Sequence, residues 1–358
     1  MVKFIIRRLV QAVPTMIGIT VLVFWITSLT GSPLSQLTLD PTSITPKQRS
    51  AMEAGLGLYD PWPVQYLRWL IGDAPIQIGN ITLWNGRELP TFDRRGNQMG
   101  TAIGTSRGIL RGDFGKSFIS RNPVTEVLSV RIGPTLELGL LALALGSMVG
   151  ITIGILAAVN QGGIFDNFTR VMAVVVSSVP IFYLGIILLL VFAFWLNLLP
   201  PGNRLPLIPS GEGGTYTLWD RMRHLILPTF TLGSISVATF SRFMRASLLD
   251  VLGQDYVRTA RAKGLANRAV WFKHAARNAL IPIATLLGPA IPGVISGAIL
   301  TETIYAWPGM GLLLNDSVKQ RDFPVIMAIV LLLALASICG YLLSDILYAL
   351  IDPRIRLN

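Results

Sequence analysis

The stretch LGLLALALGSMVGITIGILAAVNQGGIF, Leu138 to Phe165, runs 28 residues without a charge. A bilayer core about 30 Å thick needs roughly 20 apolar helical residues, because lipid offers the backbone no hydrogen-bond partner and the helix must satisfy its own groups. This stretch is long enough to cross. Five more charge-free runs of at least 18 residues lie on either side of it, with histidine counted as neutral: Leu9 to Leu39, Val171 to Asn203, His224 to Ser241, Asn278 to Thr301 and Phe323 to Ser344. The chain therefore reads as an all-α membrane protein with six transmembrane helices. Composition agrees, since 52% of its 358 residues are hydrophobic and only 14% charged, against about 25% charged in a soluble domain.

The distribution of basic residues sets the expected sidedness. The first run follows Lys3, Arg7 and Arg8, and its apolar part, Leu9 to Leu29, exceeds the roughly 7 to 15 residues of a cleavable signal core. Residues 1–30 are thus expected to be an uncleaved signal-anchor helix. Six spans place both termini on one side. With the N-terminus inside, the short cytoplasmic segments hold fourteen of the thirty Lys and Arg, eight of them between Arg242 and Arg277, and the short outer loops hold five. The remaining eleven fall between Gly31 and Arg131, a length over which the positive-inside rule loses force. The net charge of +11 sorts by topology, which argues against a nucleic-acid partner, and no zinc-finger or RNA-recognition signature accompanies it. The expected division is 1–30 anchor, 31–133 extracytoplasmic segment, and 134–358 five-helix core with a cytoplasmic segment at 246–277.

Several chemistries lack their residues. A single cysteine, Cys339, excludes a disulfide framework, and two isolated histidines, His224 and His274, make no metal centre. Gly115-Lys116-Ser117 resembles the tail of a phosphate-binding loop, but Leu110 stands where that loop needs its first glycine. No HExxH or GxSxG is present, so the chain reads as no enzyme, with no metal and no cofactor of its own.

In the outer segment, Thr45, Pro46 and Gln48 fit a capping box with proline at the first helical position, and Gly55 is a stop. Asp60 and Pro61 announce a second helix, Trp62 to Ile71, whose Trp62, Tyr66 and Trp69 suit either a membrane interface or a small soluble core. Gly72 to Ile109 is Gly-rich and polar, consistent with short β-hairpins or irregular loop. Within the spans, Gly146, Gly150 and Gly154 recur every fourth residue and strip one helical face for close packing. In the fifth run Pro289 and Pro292, with Pro282, alternate with Gly288, Gly293 and Gly297. That pattern suits either a loosened helix beside a transport pathway or a kinked packing helix. Glu137, Glu302, Asp345 and Arg242 flank spans, so no proton relay is indicated.

The segment Asp255-Tyr256-Val257-Arg258-Thr259-Ala260-Arg261-Ala262-Lys263-Gly264 reads as one short helix with an acidic cap at its start, bases toward its end and a glycine stop. A second basic amphipathic helix is expected from Asn267 to about Leu280; a solvated or membrane-surface place suits both on charge alone. With its neighbours, this segment resembles the inner-membrane permease subunits of ATP-binding-cassette importers, in the dipeptide, oligopeptide and nickel branch. The family loop E-A-A-x3-G finds its counterpart in Arg258-Thr259-Ala260 and Gly264, and Arg277-Asn278-Ala279-Leu280-Ile281-Pro282 follows. Other pieces agree in order: Gly112-Asp113-Phe114-Gly115, Pro134-Thr135-Leu136-Glu137, His224 to Pro228, Glu302-Thr303, Trp307-Pro308-Gly309 and Asp352-Pro353-Arg354.

The resemblance implies a type I ABC importer permease fold with an enlarged extracytoplasmic segment between helices 1 and 2. It implies a peptide permease that pairs with a second homologous permease, two ATP-binding subunits that carry ATP and Mg, and an extracytoplasmic solute-binding protein. Membrane lipid surrounds it, in a bacterial or archaeal cell membrane that is the inner one in a Gram-negative cell. Asp255, Tyr256, Arg258, Thr259, Ala260, Arg261, Lys263 and Gly264 would couple it to the ATPase. Nickel chelates or oligosaccharides are the alternative solutes, and a channel or scaffold is the rival class.

Overall fold

The computed structural model describes residues 2–29, 45–55, 57–78, 81–93, 95–211, 214–296 and 299–351. These divide by packing into two compact units. One takes in the described residues up to Ala12, Arg131–Leu313 and those from Leu333 onward; the other takes in Val13–Val130 and Leu314–Leu332. Helices α1 (Val2–Leu29), α4 (Val124–Val159) and α14 (Phe323–Ile351) supply residues to both.

The larger unit is built on α4 and α7 (Leu218–Leu252). A Cβ added at Gly146 would stand 2.3 Å from the Ser236 Cβ, one at Gly150 2.8 Å from the Val237 carbonyl oxygen, and one at Gly154 2.7 Å from the Met244 Cβ. The glycine face thus lets two backbones approach where no side chain fits, as the four-residue spacing predicts. Beyond that contact, Ile155 and Ala158 of α4 join Phe240, Met244 and Leu248 of α7 in one buried cluster.

Helix α5 (Ile164–Ser178) packs on α7 through a charge. The Asp166 carboxylate is fully buried and accepts from Arg245 Nε at 2.5 Å, from its Nη2 at 2.7 Å and from the Gly162 backbone N–H at 2.9 Å. After α5 the chain turns by 102° into α6 (Ile181–Leu188), which continues as a π-helical stretch, Leu189–Trp195. Val179 is extended and Pro180 follows it, the conformation a proline imposes on its predecessor.

Four described helices are long and apolar enough to cross a membrane, Ile6–Leu29, Val124–Val159, Leu218–Leu252 and Phe323–Ile346, and the bent pair counts as a fifth if it is one span. The six-helix expectation meets a divided element at its fifth run. There α11 (Ile281–Ser296) has 16 residues, about 24 Å of helix against a hydrocarbon core of about 30 Å. Its backbone stays helical through Pro282, Pro289 and Pro292. The short α12 (Ile299–Ile304) follows, and α13 (Met310–Lys319) precedes α14.

The second unit holds the elements between α1 and α4. Helix α2 (Pro46–Gly55) begins with the capping box: Gln48 N–H donates to Thr45 Oγ1 at 3.3 Å, and Thr45 N–H donates back to Gln48 Oε1 at 2.9 Å. Helix α3 occupies Trp62–Ile71 as expected, but Asp60 does not cap it. Its carboxylate instead binds Arg68 and Arg87, while Arg68 grips Asp73 with Nε and Nη2. Tyr66 is buried with its hydroxyl 2.9 Å from Thr20 Oγ1, and Phe24, Tyr66 and Trp69 pack edge-to-face and tilted with ring centroids 5.5 to 6.3 Å apart. Trp62 stays exposed, so the three aromatics divide between an internal cluster and the surface. The Gly-rich stretch forms two antiparallel hairpins, β1 (Ile76–Ile78) with β2 (Ile81–Trp84) and β3 (Glu88–Phe92) with β4 (Gln98–Ile103).

Asp166→Ala leaves the Arg245 guanidinium without its buried partner and should cost about 3 to 5 kcal/mol. Gly150→Leu should cost about 1 to 3 kcal/mol through overpacking. Thermal unfolding of the purified protein in mild detergent checks both, and an unchanged midpoint for either variant contradicts the corresponding contact.

Candidate functional site

The segment singled out from the sequence forms α8 (Asp255–Ala262). Its residues divide by face: Val257 is fully buried and Ala260 nearly so, while Asp255, Tyr256, Arg258, Thr259 and Arg261 are exposed. The two buried positions lie three apart, on one side of a helix, and enter the cluster formed by Ile155, Phe240, Met244 and Leu248. Seating is therefore apolar, and the outward face is polar and basic.

The ends are unequal. Gln254, extended at φ −76° and ψ 148°, occupies the N-cap position with no side-chain hydrogen bond. Asp255 therefore caps nothing, contrary to the acidic cap expected from the sequence; it stands in the first turn, where a carboxylate suits the helix dipole. Its ion pair with Arg258, 3.6 Å long with both side chains mostly exposed, adds little. At the other end Lys263 is the C-cap, one residue beyond the last helical position, and Gly264 takes the left-handed conformation at φ +75°. A Cβ added at Gly264 would meet nothing within 4 Å, so a substitution there strains only the backbone.

The second basic helix runs from α9 (Asn267–Ala269) through a π-helical stretch, Val270–Ala275, to α10 (Ala276–Ala279). Val270, Ala275, Ala276 and Ala279 bury into the cluster that holds Val257 and Ala260. Asn278 Nδ2 donates to the Tyr256 hydroxyl at 2.7 Å, a polar tie between the two helices. Arg268 and Arg277 are exposed alongside them.

The expected pathway residues Gly288, Pro289, Pro292 and Gly293 lie within the helical backbone of α11, and Gly297 lies outside the described residues.

A second constellation was not legible as a site. Glu302 is fully buried, and its carboxylate accepts from Thr135 Oγ1 at 3.0 Å and from the Leu312 backbone N–H at 2.9 Å. The Met310 N–H donates to Thr135 Oγ1 at 2.6 Å, and Trp307 Nε1 donates to the Pro134 carbonyl at 2.9 Å. Gly309 is required, because an added Cβ would fall 2.3 Å from Glu302 Oε1. The pieces Pro134-Thr135 and Glu302 to Gly309, far apart in sequence, are two halves of one hydrogen-bonded joint. Nearby Glu137 accepts from Arg221 Nε and from Arg204 Nη2.

This arrangement defines a multi-pass helical membrane protein whose described residues hold no group of three or more metal-ligating side chains and whose α8 has an apolar seated face and an exposed basic one. Comparison with known proteins makes the class specific. The family model described as "Binding-protein-dependent transport system inner membrane component" matches residues 150–357. The chain is 37% identical over 375 residues to the dipeptide transport system permease protein DppB of Escherichia coli (strain K12), with 99% of each chain covered. It is 37% identical over 358 residues to the oligopeptide transport system permease protein AppB of Bacillus subtilis (strain 168), covering 99% of this chain and all of the other. A di/tripeptide transport system permease protein of Pseudomonas aeruginosa (strain UCBPP-PA14) is 34% identical over 371 residues, again with 99% of each covered. The chain belongs to the family of binding-protein-dependent transport system inner membrane components. It is a membrane-embedded permease of the ATP-binding-cassette type and a non-catalytic part of a larger transporter.

Glu302→Leu leaves the Thr135 hydroxyl and the Leu312 N–H without their acceptor, at about 1 to 3 kcal/mol for each buried group left unpaired. A melting midpoint lower than that of the parent is expected in detergent, and an unchanged one would show that the joint contributes nothing.

Proposed function

We propose that the chain is one permease half of an ATP-driven peptide importer and that α8 is its coupling helix. The observation that carries the coupling role is the division of α8 into a seated apolar face and an exposed basic one. A short helix fixed by Val257 and Ala260 to α4 and α7 moves with those helices as a rigid body when a partner grips its outward side. Arg258, Arg261 and Lys263, all exposed, complement an acidic groove and steer its approach. Tyr256, Thr259 and Asp255 complete the contact face. The solute follows from the names of the relatives, which are permeases for dipeptides, di/tripeptides and oligopeptides along the whole chain length.

In this reading a second, similar permease completes the pathway, two ATP-binding subunits hold ATP and Mg, and a solute-binding protein delivers peptide from outside. Residues 1–30 anchor the chain, 31–133 stand outside the membrane, and 134–358 form the core, with both termini in the cytoplasm. In Gram-negative cells the membrane is the inner one. Helix α11 with Gly288, Pro289, Pro292 and Gly293, together with Gly297 that follows it in sequence, lines the pathway, where glycine and proline leave room for a solute to pass.

The test is peptide uptake by the reconstituted complex. Arg261→Glu reverses an exposed charge and should lower uptake at least tenfold while membrane insertion stays normal. Gly264→Val should do the same through strain at a left-handed position, which is worth about 1 to 2 kcal/mol for a residue with a Cβ. Parental uptake by both variants would remove α8 from the coupling path.

A further inference from the structure

The second unit holds a half-open cavity of about 530 Å³ that lies apart from the proposed coupling face and pathway residues. Its apolar wall comes from Phe24 of α1, Leu58, Phe118, and Phe323, Pro324 and Met327 at the start of α14. Its polar wall comes from Glu53 of α2, Gln65, Arg68 and Trp69 of α3, and Asp73. The volume lies within the range of about 300 to 1,000 Å³ typical of sites for small molecules.

Three observations define the occupant. The first is position: Phe24 lies near the C-terminal end of one helix that qualifies as a span, and Phe323 is the first residue of another. A cavity lined by the ends of two spans lies at the boundary between hydrocarbon and headgroups, where Trp and Tyr concentrate. The second is an orphan donor, because Trp69 Nε1 is buried with no hydrogen-bond partner among the described residues. A buried indole N–H ordinarily finds an acceptor, and the ester or phosphate oxygen of a lipid supplies one. The third is charge. Among the described residues, Glu53, Asp60 and Asp73 along the polar wall are joined with Arg49, Arg68 and Arg87 in ion pairs of 2.8 to 3.3 Å. This balanced set offers an anionic headgroup no net attraction and suits one that carries both signs.

We propose that this cavity is a binding site for a zwitterionic phospholipid of the outer leaflet. An acyl chain lies along Phe24, Phe118, Phe323 and Met327, and an ester or phosphate oxygen accepts from Trp69 Nε1.

The assembled transporter is placed in nanodiscs of equal parts phosphatidylethanolamine and phosphatidylglycerol, washed with detergent, and its retained lipid weighed by native mass spectrometry. Phosphatidylethanolamine should be retained preferentially. Trp69→Phe, which keeps a ring and removes the N–H, should lower that retention about 3- to 10-fold, the weight of one hydrogen bond. Trp62→Phe, on the exposed side of α3, should leave it unchanged. A phosphatidylethanolamine with a photoreactive acyl chain should label peptides containing Phe24, Phe323 or Met327 in the parental protein, a readout that needs no variant to fold. Equal retention of the two lipids, unchanged retention in Trp69→Phe, labelling confined to other helices, or displacement of the lipid by a dipeptide would each overturn the proposal, the last by making the cavity a substrate subsite.

Discussion

The contact between the glycine face of α4 and the backbone of α7 governs the larger unit. With Cβ positions 2.3 to 2.8 Å from opposing atoms at Gly146, Gly150 and Gly154, the two helices meet backbone to backbone. In a membrane this closeness matters, because lipid tails are as apolar as leucine and association relies on packing rather than on exclusion of water. The seating of α8 follows from it. The cluster receiving Val257, Ala260, Val270 and Ala275 exists only because Ile155, Ala158, Phe240, Met244 and Leu248 already share a core.

Charge is used sparingly, and where buried it is closed on itself. Asp166 with Arg245, Glu137 with Arg204 and Arg221, and Glu302 with Thr135 each tie helical elements remote in sequence. Breaking such pairs costs more than forming them gains, because the abandoned partner stays desolvated. They fix which elements meet more than they stabilise the fold. The Asp60, Arg68, Asp73 and Arg87 network serves the outer segment in the same way, joining α3 to the entry of the hairpins.

Local signals were legible where local chemistry decides. The capping box at Thr45 and Gln48, the limits of Trp62–Ile71, the stop at Gly264 and the packing role of the glycine face all depend on residues a few positions apart. The buried joints were not, because Thr135 and Glu302 stand 167 residues apart and Asp166 and Arg245 stand 79 apart. Reading spans as charge-free runs also treats every ionised residue as a boundary. Glu302, at the edge of such a run, is also fully buried in the fold, and Arg245, counted with the cytoplasmic basic residues, is held by Asp166. The run from Asn278 to Thr301 passes as a span by composition, yet it is shared between α10, α11 and α12. Charge counting does not register where a helix ends.

The π-helical stretch Val270–Ala275 carries a geometric consequence of its own. Its wider hydrogen-bonded ring accommodates one residue more than an α-turn does, and one residue corresponds to about 100° of rotation. The coil runs on into α11, with Leu280 N–H bonded to the Ala276 carbonyl and Ala284 N–H to that of Leu280. The azimuths of the side chains from Ala276 to Leu287 are therefore offset from those a uniform helix would give them. The stretch works as a vernier, setting the phase of the proline-bearing α11 relative to α8.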